Sequence, residues 1–153
     1  MASGEHKPGF ELVFTVMDYY DGPLTGIADF NGCPHFYDRI FSESLDEYSD
    51  LYRLTPITKQ IMDLAKEDWA IWKRWELAFH AGKTTIASHP ALPQDRTRHD
   101  EIETILKSAL KTDSNTCTIR AGSFEVIGNP ILPKGIIRPL QVKWKEPELE
   151  KLG

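Results

Sequence analysis

Hydrophobic and polar positions follow a two-residue period at both ends of the chain and a helical period in between. From Phe10 to Met17 they alternate: Phe10, Leu12, Phe14 and Val16 share one side, and Glu11, Val13, Thr15 and Met17 the other. This is the pattern of a strand with an apolar inner face. Asp18 to Gly22 and then Pro23 end it, because glycine frees the backbone and proline removes a ladder donor. Two runs, about Thr25 to Phe30 and Cys33 to Phe41, flank Asn31-Gly32, a pair that tolerates the positive φ values of a type I′ turn. A two-residue loop sets Phe30 opposite Cys33, Ala28 opposite His35, Ile27 opposite Phe36 and Gly26 opposite Tyr37. One hairpin face then carries Thr25, Ile27, Asp29, Pro34, Phe36, Asp38 and Ile40. The other carries Gly26, Ala28, Phe30, Cys33, His35, Tyr37, Arg39 and Phe41. The Pro34 nitrogen points away from the partner strand, which predicts a sheet edge there.

Ser42 to Asp50 holds four acidic residues without apolar periodicity and reads as an exposed acidic loop, followed by a short strand at Leu51 to Leu54. The period then becomes helical. Thr58 is the candidate N-cap, and Ile61, Leu64, Ala65, Trp72, Trp75 and Phe79 describe an amphipathic helix over about Ile57 to Ala81, stopped by Gly82. Lys83 to Arg96 contains Pro90 and Pro93 and few large apolar groups, as an internal loop or linker would. Thr97 caps a second predicted helix, with Ile102, Ile105, Leu106, Ala109 and Leu110 as its stripe and its end near Thr112. Beyond Thr116, TCTIRA, FEVIG and LQVKW alternate again, punctuated by Gly122, Gly128-Asn129-Pro130 and Pro133-Lys134-Gly135.

Strands, then helices, then strands predict an α+β fold, a mostly antiparallel sheet of N-terminal hairpin strands and C-terminal strands packed by one long and one shorter helix. A small β-barrel with helices is the structural alternative. The expected single domain runs from residue 9 to 145, with residues 1–8 and 146–153 as flexible tails and 83–96 as the internal loop. The chain's 153 residues suffice for a self-supporting core. With 23 acidic and 18 basic side chains the net charge is −5, the wrong sign for sequence-independent nucleic-acid binding. Cys33 and Cys117 are too few and too far apart for a disulfide framework and read as free thiols. No stretch approaches the roughly 20 apolar residues of a membrane helix, and the N-terminus lacks a secretory apolar segment, so the expectation is a cytoplasmic protein without membrane contact.

Three groups of side chains bear on chemistry. Asp18, Asp21 and His35 near the hairpin are the residues an acid-base or metal pocket would use, although aspartates at turns also serve to bond backbone amides. Cys33 and His35 share a strand face but make only half of a structural zinc set, so neither a metal nor another cofactor is expected. Arg96, Arg98 and His99 form a compact positive cluster at the start of the second helix, for which pairing with Asp95 and Asp100 is the simpler reading.

The third group is aromatic and acidic. Trp69, Trp72 and Trp75 recur on one broad side of the long helix, either as a core seam or as an interface wall. Tyr19 and Tyr20 occupy a turn, and Glu43, Asp46 and Glu47 the acidic loop. From these the expected function is a protein-interaction module, in an inhibitor, immunity-like or adaptor role. It would present Tyr19, Tyr20, Glu43, Asp46, Glu47, Trp69 and Trp72 to another, basic protein. The alternative is a small enzyme or ligand-binding domain using Asp18, Asp21 and His35. A third expectation is a homo-oligomer joined through the edge near Pro34.

Overall fold

The structure is a computed structural model describing residues 7–128 and 139–148. Six strands, β1 (Glu11–Tyr19), β2 (Pro23–Phe30), β3 (Cys33–Ser42), β4 (Glu47–Pro56), β5 (Thr118–Val126) and β6 (Leu140–Lys145), form an antiparallel sheet. The sheet closes on itself in sequence order when β6 pairs with β1. Two helices, α1 (Lys59–His80) and α2 (Arg96–Ala109), fall between β4 and β5. The fold is therefore α+β in its barrel form.

The β2–β3 hairpin has the predicted register, Phe30↔Cys33, Ala28↔His35, Ile27↔Phe36 and Gly26↔Tyr37, around Asn31 and Gly32 at φ 53° and 76°. Glu11 fixes that turn from outside, because its carboxylate accepts from the Asn31 and Gly32 amides at 3.0 and 2.8 Å. Each predicted hairpin face then enters a different core. Ala28 and Tyr37 turn into the barrel, where they meet Tyr52, Leu54, Val142, Phe124 and Trp144. Ile27 and Phe36 face outward and are covered by Ala65 and Ile71 of α1 and Ile102 and Leu106 of α2. Complete burial of Ile27 and Ile102 contributes roughly 1.5–3 kcal/mol each.

The barrel interior is filled by rings. Tyr37, Tyr52, Phe124 and Trp144 contact one another with centroids 5.4–6.5 Å apart. Space for them comes from glycines. A Cβ on Gly122 would stand 2.6 Å from the Trp144 ring, and one on Gly26 would collide with the Thr15 carbonyl and the Tyr37 hydroxyl. Gly122 is thus no break between two strands, as its sequence context predicts, but the middle of one continuous β5.

The predicted edge at Pro34 is corrected. β3 is paired on both sides, with β2 through Asp29↔Pro34 to Phe30↔Cys33 and with β4 from His35↔Pro56, and the Ile57 amide donates to the Pro34 carbonyl at 3.2 Å. Pro34 lies where the β3–β4 ladder begins, so its missing donor breaks no bond. Self-association through an open edge at Pro34 has no edge to use. The acidic loop is also shorter than expected: β3 runs to Ser42 and β4 starts at Glu47, leaving a tight turn in which Asp46 has φ 52°.

Strand β1 departs from strict alternation. Its ladder with β2 shifts register between Val13 and Thr15 and again between Val16 and Asp18. Val13 accordingly packs in the barrel and Phe14 against the helices, while the Thr15 hydroxyl accepts from the Ile27 amide. The expected N-cap of α1 is observed, with the Thr58 hydroxyl accepting from the Ile61 amide. For α2 the cap is Asp95 in place of Thr97, and its carboxylate is held by Arg74 at 3.0 Å through two bonds. Residues 83–96 contain two short 3₁₀ turns, Ile86–Ser88 and Pro93–Asp95, tied to the helices by Trp75 Nε1 donating to Ser88 Oγ and Arg96 to the Ser88 carbonyl. At the N-terminal end the Lys7 amide donates to the Gln141 side chain and its ammonium pairs with Glu125. The turn signals at 129–130 and 133–135, and the tail residues 1–6 and 149–153, lie outside the described residues.

Candidate binding surfaces

Asp18, Asp21 and His35 do not converge. The Asp18 carboxylate accepts from the Thr25 hydroxyl at 2.7 Å, and Thr25 pairs with Asp38, three residues from His35 along β3. Three residues of strand amount to roughly 10 Å. His35 turns to the opposite face, into the barrel mouth, where Nδ1 contacts the Cys33 carbonyl at 2.8 Å and the ring meets Phe30 edge-on. Asp21 is a turn residue at φ 51° whose carbonyl accepts from Arg39. These aspartates and the histidine each have a local structural partner. Among the described residues no group of three or more His, Cys, Asp or Glu is arranged to hold a metal, and Cys33 and Cys117 are free thiols.

The aromatic and acidic residues divide between two surfaces, and the division falls at the Tyr19-Tyr20 bond. Tyr20 meets Tyr48, whose ring also contacts Phe41 edge-on at 5.1 Å, forming an aromatic row beside the β3–β4 turn. Arg39 lies over Tyr48 while its Nε donates to the Ser49 carbonyl. Leu45 projects at the tip, 69% exposed, and Tyr20 is 68% exposed. Phe41, Glu43, Leu45, Glu47, Tyr48 and Asp50 border a shallow concavity of about 650 Å³, and Asp46 completes the turn. Apolar groups thus stand inside a frame of carboxylates, with Arg53 on the inner margin.

Tyr19 leads to the other surface, a cleft of about 390 Å³ between β1, α1 and α2. Trp69 and Trp72 stack on each other there at 5.0 Å, half-buried. Met17, Ala65, Pro90 and Leu106 supply further apolar wall. Trp75, one turn further along α1, faces the core instead, 5% exposed and stacked on Phe79. The tryptophan window therefore serves both purposes weighed from sequence, two rings as cleft wall and one as core.

At the cleft margin His99 is buried between two carboxylates, Nδ1 at 2.7 Å from Asp68 and Nε2 at 2.9 Å from Glu103. The Lys107 ammonium, and after it the His99 ring, hold Glu103 below the ordinary carboxylate range. Both ring nitrogens are engaged by carboxylates, one on each helix. The trio joins α1 to α2. No protein-family model matches the chain, and comparison with curated proteins and with solved structures gives no significant match.

The positive cluster predicted at the start of α2 is dispersed. Arg98 makes a bidentate pair with Glu67 at 2.6 and 2.8 Å, and Arg96 donates to the Ser88 and His89 carbonyls. Asp68 and Pro90 escape sequence reasoning, because an aspartate among helix charges and a proline in a loop have no local signal for a cleft. No helix among the described residues is long and apolar enough to cross a membrane.

Proposed function

We propose that the protein is an interaction module that docks a basic segment of another protein on the β3–β4 hairpin end. The observation carrying this reading is the row of exposed Leu45, Phe41 and Tyr20 about the half-buried Tyr48, set among Glu43, Asp46 and Glu47. Contiguous apolar patches of this kind are uncommon on lone monomers, and exposed aromatic rings make efficient anchors. The surrounding carboxylates steer a cationic partner and discriminate against an acidic one. An inhibitor, immunity-like or adaptor role needs no more than such a surface on a rigid barrel. What an acid-base pocket required, convergence of Asp18, Asp21 and His35, is missing among the described residues.

The test is charge reversal. An amphipathic lysine–leucine peptide is titrated by fluorescence anisotropy against the protein and against the Glu43→Lys, Asp46→Lys, Glu47→Lys triple variant. Binding to the parent that weakens with added salt and falls at least about tenfold in the variant supports the reading. Equal binding to both proteins, or none to the parent, overturns it.

A further inference from the structure

We propose that the tryptophan cleft is a site for a small aromatic amine, its ring against Trp69 and Trp72 and its ammonium at Asp68. The volume, about 390 Å³, falls in the range of small-molecule sites, and the lining is mostly apolar, as such sites are. Recognition chemistry follows from what lines it. Asp68 is the one carboxylate among the lining side chains, which include neither lysine nor arginine. Its Oδ1 is fixed by His99, while Oδ2 has no protein donor among the described residues. Because Asp68 and Glu103 share a single imidazole, the trio is net negative whatever proton that ring carries. Lys107 contacts Glu103 and is not part of the lining.

The tryptophans suit a flat ring and give the probe for it. Trp75 and Trp144 donate their indole N–H groups to Ser88 Oγ and to the Asp29 carbonyl, each at 2.8 Å. Trp69 and Trp72, the two in the cleft, have no protein acceptor among the described residues. Stacked aromatic faces beside a positioned carboxylate recognise a cation carried on a flat apolar body. The same carboxylate disfavours an aromatic acid of equal size. This occupant is distinct from the partner proposed for the hairpin, and the two surfaces fail separately.

The probes are 2-phenylethylamine, ethylbenzene and phenylacetate, and the readout is the indole N–H signals of nitrogen-15-labelled protein. The expected result is a saturable shift of the Trp69 and Trp72 signals with the amine, while the Trp144 signal stays in place. The amine should bind about tenfold more tightly than ethylbenzene, as a cation beside aromatic rings and a carboxylate should, and phenylacetate most weakly. Asp68→Asn should bring amine and hydrocarbon to similar affinity, and Trp72→Leu should remove binding of both. Hairpin charge reversal should leave all three affinities unchanged. Equal affinity for all three probes in the parent protein, a preference for phenylacetate, or shifts that spare Trp69 and Trp72 would overturn the assignment, and these outcomes need no variant to fold.

Discussion

Gly122 and Trp144 face each other across the β5–β6 ladder, with the indole of Trp144 over the glycine where a side chain would stand. The Tyr52 ring closes the same space, 3.0 Å from where a Cβ would lie. Tyr52 is buried, and the half-buried Trp144 is tied by its indole N–H to the Asp29 carbonyl, so both rings resist displacement. Gly122→Ala should therefore lower the unfolding free energy by roughly 1–3 kcal/mol, the cost of overpacking a filled core. Urea unfolding followed by tryptophan fluorescence measures it. At Gly32, where φ is 76° and no atom lies within 4 Å of a built Cβ, alanine should cost only the backbone term of about 1–2 kcal/mol.

Tyr37 and Tyr52 are buried phenols that donate to the carbonyls of Thr15 and Pro23 at 2.8 Å. Burial raises Tyr37 well above the ordinary phenol range and pushes Tyr52 up to about 12. The neutral forms are favoured by folding. Their contribution is thus complete below about pH 10, where unfolded tyrosine ionises, and is lost as pH rises toward about 12. The urea midpoint should hold up to pH 10 and fall above it, and Tyr52→Phe should flatten that fall. A midpoint equally pH-dependent in parent and variant would contradict the assignment.

Two ion contacts between α1 and α2 should differ in weight. Asp68 and His99 meet largely away from solvent, so Asp68→Ala should cost roughly 1.5–3 kcal/mol, typical for losing a hydrogen bond to a charged group. Glu67 and Arg98 meet in the open, and Glu67→Gln should leave the thermal midpoint essentially unchanged despite the bidentate geometry. Scanning calorimetry on the two variants separates them.

The parts of the fold legible in the sequence are those set by local rules. Asn31-Gly32 fixes the hairpin register, and the register sends Ile27 and Phe36 to the helices and Ala28 and Tyr37 into the barrel. The Thr58 cap and the Gly82 stop, at φ 73°, bracket α1 for the same reason. Closure stands in the sequence only as the barrel alternative, because it depends on Glu11↔Val142 and Leu12↔Gln141, pairings between the two ends of the chain. Gly122 reads as punctuation in sequence since its reason, the Trp144 ring, arrives from another strand.

Candidate surfaces divide the same way. Tyr20, Glu43, Asp46 and Glu47 are visible as an aromatic turn and an acidic run, and the hairpin brings them to one end. The cleft was half visible, through Tyr19, Trp69 and Trp72. Its polar side was not, because Asp68 and His99 are 31 residues apart and meet only when the two helices pack.

Where a partner docks tests the central claim most directly. Backbone amide signals of nitrogen-15-labelled protein, followed during titration with the lysine–leucine peptide, should shift saturably at Tyr20 and from Phe41 to Tyr48, less so at higher salt, with β6 unaffected. Shifts confined to other surfaces, or signals that stay in place throughout the titration, would contradict a docking role for the β3–β4 end.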